Sequence, residues 1–75
     1  MQADLIKQKI IAALGEAEVS LSSFDGVHYD AHVRSPAFAG KSRLEQHRMV
    51  MNALRDELGA NEVHALALKT EVLEK

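Results

Sequence analysis

The chain has 75 residues, nine Lys and Arg against eleven Asp and Glu, a formal net charge of −2 and no cysteine. That length allows one domain, taken as residues 1–75, which buries roughly 60–65% of its unfolded surface and has no room for a large enclosed active site. The absence of cysteine excludes disulfides, thiolate metal sites and a cysteine nucleophile, while 47% hydrophobic and 27% charged residues read as a folded globular chain.

The first periodic segment runs from about Asp4 to Leu14. Leu5, Ile6, Ile10, Ala13 and Leu14 recur at helical spacing, with Asp4 able to cap the start and Gly15 able to end it. Glu18 to Leu21 is short and alternates, which predicts a strand. Ser22-Ser23-Phe24-Asp25-Gly26 is turn chemistry, and Asp-Gly favours a hairpin. Val27, Tyr29, Ala31 and Val33 then alternate with His28, Asp30, His32 and Arg34, which predicts a second strand with one buried and one wet face. Ser35-Pro36 to Gly40 breaks it. Ser42-Arg43-Leu44-Glu45 matches a capping box. The helix it opens has Leu44, Val50, Met51, Leu54 and Leu58 near one face and Gly59 as its expected C-terminal cap, followed by a Gly59-Ala60-Asn61-Glu62 turn. Val63 to Val72 places His64, Leu66, Leu68 and Thr70 on one parity and reads as a third strand. The order α-β-β-α-β predicts an α+β fold: a three-stranded sheet, both helices on one face, the last strand joined by a crossover.

Charge is uneven. Residues 1–33 carry net −3, residues 34–48 net +3 and residues 49–75 net −2. The basic stretch holds Arg34, Lys41, Arg43 and Arg48, which suits a solvated helix face or an anion or nucleic-acid contact. Three aromatic residues are too few for a base-stacking platform. No apolar run approaches the roughly 18–20 residues of a membrane span, and Met1 to Lys9 has no basic-then-apolar signal pattern. The expectation is a small cytoplasmic protein with no membrane association.

Four histidines are the ordinary candidates for metal ligation. His28 and His32 on one strand have Cα atoms about 13 Å apart, too far to close on one ion, and read as solvent-face residues. His47, between Leu44 and Met51, sits near a core boundary as a packed or capping residue. His64, at the opening of the last strand, is accessible. Enzyme signatures are missing. Gly40-Lys41-Ser42 has the end of a phosphate-binding loop, but the upstream glycine position is Ser35. A catalytic function is disfavoured.

The stretch Phe38-Ala39-Gly40-Lys41-Ser42-Arg43-Leu44-Glu45-Gln46-His47-Arg48-Met49-Val50, followed by Val63-His64-Ala65-Leu66-Ala67-Leu68, resembles the BolA family: Phe-x-Gly, a helix opening toward His-Arg-x-Val, then a closing strand that begins with histidine. Asp25-Gly26-Val27-His28-Tyr29 is also similar to the family's start of the second strand. The resemblance covers roughly residues 3–70. It implies a fold like the type II KH domain. It also implies a non-enzymatic adaptor that pairs with a monothiol glutaredoxin of the Cys-Gly-Phe-Ser type and shares a [2Fe–2S] cluster with it. The glutaredoxin and a bound glutathione would supply thiolates, and His64 would be this chain's ligand. A second ligand usually comes from the loop before the second strand. Here Ser22 to Gly26 has neither Cys nor His. Asp25 sits about where a loop cysteine often lies in relatives, and His28 is the nearest imidazole. Alone, the chain is expected to carry no cofactor. Many relatives continue past the position of Lys75 with a Thr-Pro segment and a tail. Some members have been treated as transcriptional regulators. The second reading is therefore DNA binding through Lys41, Arg43, His47 and Arg48, a surface that also suits an acidic partner or a glutathione carboxylate. A weak homodimer is left open.

Overall fold

The computed structural model describes residues 3–25, 28–63 and 66–74, with 56–63 as backbone alone. Helix α1 spans Ala3–Leu14, β1 Glu18–Ser22, β2 Tyr29–Ser35, a 3-10 turn Pro36–Phe38, α2 Arg43–Val63 and β3 Leu66–Val72. The sheet order is β1-β2-β3. β1 pairs antiparallel with β2, from Glu18↔Arg34 to Ser22↔Asp30, as the expected hairpin. β2 pairs in parallel with β3, from Tyr29↔Leu66 to Ser35↔Val72, and the crossover that parallel pairing requires is α2.

Alternation decides which face is covered. Val19, Ala31, Val33, Ser35 and Leu66 are buried, with Leu21, Tyr29, Leu68 and Thr70 half-buried on the same side. Both helices lie against that face. Ile6 and Ile10 of α1 and Val50 and Leu54 of α2 close the core around Phe38. The other sheet face is polar and uncovered by any described element.

The ends of the elements have identifiable causes. Gly15 takes φ +83°, and its N–H donates to the Ile11 carbonyl at 2.8 Å, a left-handed cap that ends α1 as expected. At the start of α2 the capping box is formed. The Glu45 N–H donates to Ser42 Oγ at 3.2 Å, and the Ser42 N–H donates to Glu45 Oε1 at 3.1 Å. Ser35 is fully buried: its hydroxyl donates to the Glu16 carbonyl at 2.5 Å and accepts the Ala37 N–H at 3.1 Å.

Several expectations are corrected. Asp4 lies inside the first turn of α1 instead of capping it; there its charge still favours the helix N-terminus. Leu5 and Ala13 are exposed, because the contact stripe of α1 is the narrow Ile6–Ile10–Leu14 line. Leu44, the second residue of α2, is 60% exposed, since it sits six residues before Val50 and so about 120° away from it around the helix. Gly59 does not cap α2, and 59–62 is not a turn: the helix continues to Val63. An interior glycine costs only about 1 kcal/mol relative to alanine, less than the backbone bonding a continuing helix retains. β3 therefore starts at Leu66, not Val63. Gly26, Val27, His64 and the Leu58 side chain lie outside the described residues.

Candidate functional site

The candidate residues separate into two groups at opposite ends of the sheet. Because β2 and β3 are parallel, both start at the same end, where Tyr29 pairs with Leu66. The loop from Ser23 to His28 is at that end. His28 precedes β2 in a bend instead of belonging to the strand, a correction with a local cause. The Asp25 carboxylate accepts the His28 N–H at 2.8 Å through Oδ1, and its Oδ2 lies 2.8 Å from His28 Nδ1. This double contact turns the chain before pairing begins. A carboxylate only accepts, so Nδ1 carries the proton and Nε2 of the neutral ring holds the free lone pair. The imidazole is 73% exposed. A carboxylate bonded to one ring nitrogen fixes the orientation of the imidazole, and here that carboxylate is Asp25. Phe24, beside them, is exposed over its whole surface.

The cationic group is at the other end. Arg43 opens α2, and Lys41, Arg43 and Arg48 are exposed while His47 is half-buried. Two polar contacts fix this helix end against the sheet. Gln46 Nε2 donates to the Lys41 carbonyl at 2.9 Å, and Thr70 Oγ1 donates to Gln46 Oε1 at 2.7 Å. Thr70 is four residues along β3 from Leu66, about 13 Å. The structure thus brings Lys41, Arg43, His47 and Arg48 to one region and keeps Asp25 and His28 apart from it. Glu45, in the same turn, has its carboxyl held below its ordinary value of 4.5, first by the Ser42 backbone N–H and then by the Ser42 hydroxyl.

His32 takes a third position, on the open sheet face. Its Nε2 is 2.7 Å from Glu71 Oε1, and Arg34 Nη1 donates to Glu18 Oε1 at 3.2 Å. His32 is a cross-strand partner of Glu71. Among the described residues no group of three or more His, Cys, Asp or Glu converges on one point. No described helix is long and apolar enough to cross a membrane. Sequence reasoning missed Gln46 and Thr70. A glutamine facing the sheet at a helical position was the only signal for them.

A helix, an antiparallel hairpin, a helical crossover and a parallel closing strand, with a histidine-bearing loop at one sheet end, define an α+β domain of KH-like topology. The model of the BolA-like protein family matches residues 6–75, and the chain belongs to that family. An uncharacterised BolA-like protein of Schizosaccharomyces pombe is 39% identical over 54 residues, 72% of this chain and 45% of that protein. Protein BOLA2 of Arabidopsis thaliana is 41% identical over 51 residues, 68% of this chain and 53% of that protein. The chain thus spans about half the length of these curated relatives. The structure of a BolA protein homologue from Coxiella burnetii superposes with a TM-score of 0.77 at 40% identity, over 96% of this chain and 91% of that one.

Proposed function

We propose that this chain is a non-enzymatic adaptor that binds a monothiol glutaredoxin and shares a [2Fe–2S] cluster with it, in cluster trafficking or iron and redox regulation. The observation that carries the reading is the parallel pairing of β2 with β3. It brings the start of β3, just after His64 in the sequence, to the sheet end where Asp25 orients His28. His64 is the first ligand in this reading and His28 the second, with Asp25 as its hydrogen-bond partner.

The donor set fits a shared group and not a self-contained one. The chain has four histidines and no cysteine, so thiolates must come from the partner and its glutathione. When bound, such a cluster supplies a one-electron couple, and imidazole in place of thiolate raises its potential. This chain's own contribution is a neutral nitrogen lone pair at an exposed ring, held in one tautomer by Asp25. Imidazole is also more easily displaced than thiolate, which suits transfer better than permanent storage.

The test is to reconstitute the chain with a monothiol glutaredoxin and record visible absorption and circular dichroism. The expected result is a mixed-complex spectrum distinct from that of the glutaredoxin alone. It is altered strongly by His64→Ala and measurably by His28→Ala. A spectrum identical to that of the glutaredoxin alone refutes the reading.

The exposed Lys41, Arg43 and Arg48 favour DNA as a second reading. Three or so phosphate contacts give weak binding that falls steeply with salt. A gel shift that persists at physiological salt with one preferred sequence would favour it over the adaptor as sole role.

A further inference from the structure

Among the described residues β3 is an edge strand, bonded to β2 on one side. Beside it lies a concavity of about 390 Å³ lined by Leu68, Lys69, Thr70 and Glu71 of β3 and by Arg43 and His47 of α2. Four consecutive strand residues point alternately to opposite faces. A single concavity that touches all four meets the strand at its edge, where the backbone is.

The charge there is one-sided. Arg43 and His47 are four apart on α2 and present neighbouring side chains to the concavity. Lys69 is exposed on the strand. The one acid, Glu71, is already engaged by His32 at 2.7 Å and approached by Arg34 at 3.9 Å. The Gln46–Thr70 hydrogen bond holds helix and strand at a fixed separation across this groove.

We infer that the outer edge of β3 is a docking site for an extended, acidic segment of a partner protein. The segment adds as a fourth strand, with carboxylates on its helix-covered face toward Arg43 and His47 and on its open face toward Lys69. Main-chain hydrogen bonds to the edge give affinity and the cations give selectivity. A second copy of this chain fits poorly: a twofold pairing of β3 with β3 sets the same cations against each other. The inference stands on the edge and its charges, independently of cluster sharing.

The test uses the full chain, isotopically labelled, and the blocked hexapeptide Glu-Glu-Val-Val-Glu-Glu, which carries carboxylates on both faces when extended. The controls are the lysine–valine counterpart and the glutamate–valine peptide N-methylated at every residue, which has no N–H left on either edge. The expected result is shifted and exchange-protected amides in 67–71 with the acidic peptide alone. The double reversal Arg43→Glu with Lys69→Glu should weaken binding on the order of tenfold. Equal binding of the N-methylated peptide would overturn strand addition. Equal binding of the lysine peptide would overturn the charge argument. Protection of the same amides by self-association, or by duplex DNA but not by peptide, would assign the edge to another occupant.

Discussion

Single residues carry much of this small fold. Ser35 is buried at the junction of β2, the 3-10 turn and the segment before β1, bonded to Glu16 and Ala37 through one hydroxyl, while its carbonyl accepts the Leu73 N–H at 3.2 Å. Ser35→Ala leaves a carbonyl and an amide, both in part-buried hydrogen bonds, without that partner and should cost about 1–2 kcal/mol in urea unfolding. Ser42→Ala removes the hydroxyl half of the capping box and should cost about 1 kcal/mol. The same box sets a pH dependence. The folded-state pKa of Glu45 is lowered, so its contribution is complete above the ordinary value of 4.5 and is lost as pH falls through the folded value. Acid titration of stability should show a shallower loss in this window for Ser42→Ala than for the parent chain. His64→Ala, by contrast, should leave unfolding midpoints little changed while altering the mixed-complex spectrum.

At the scale of elements, two glycines predict opposite outcomes. Gly15 has φ +83°, which side chains with a Cβ disfavour, so Gly15→Ala should destabilise by about 1–2 kcal/mol even though the space around it is open. Gly59 is inside α2, so Gly59→Ala should stabilise by about 0.5–1 kcal/mol. A pair of denaturant melts distinguishes the two. The contrast also shows what local sequence encodes. Gly15, the capping box and the alternation of β2 are short-range patterns, and each predicted its element. Gly59 has the same chemistry as Gly15, but whether a glycine ends a helix depends on where the next element begins. After Gly59 that element is β3, which starts only at Leu66, so the chain stays helical. Leu44 and Leu5 fit helical periodicity, yet periodicity does not say how wide the contact with the sheet is. The position of His28 depended on a side-chain contact from Asp25 that strand alternation does not reveal. The cationic region around Arg43 was legible as charge. The groove beside it was not, because it is lined by residues of α2 and β3 more than twenty positions apart in the chain.

At the scale of the whole molecule, the domain has a radius of gyration of 11.5 Å and a core built around one fully buried aromatic residue, Phe38. Phe38→Ala should cost about 3–5 kcal/mol, comparable to the total stability of a domain this small, and leave it largely unfolded by circular dichroism. The register of β2 with β3 has a kinetic consequence. Every pair from Tyr29↔Leu66 to Ser35↔Val72 spans the same 37 residues. In a hairpin each new pair encloses a longer loop than the last, but here the chain entropy of ring closure falls entirely on the first contact. Once that loop closes, the remaining pairs zip without further penalty. β3 therefore joins and leaves the sheet as a unit, and those of its amides that are bonded to β2 should exchange with solvent together, at the rate of global opening, instead of fraying one by one.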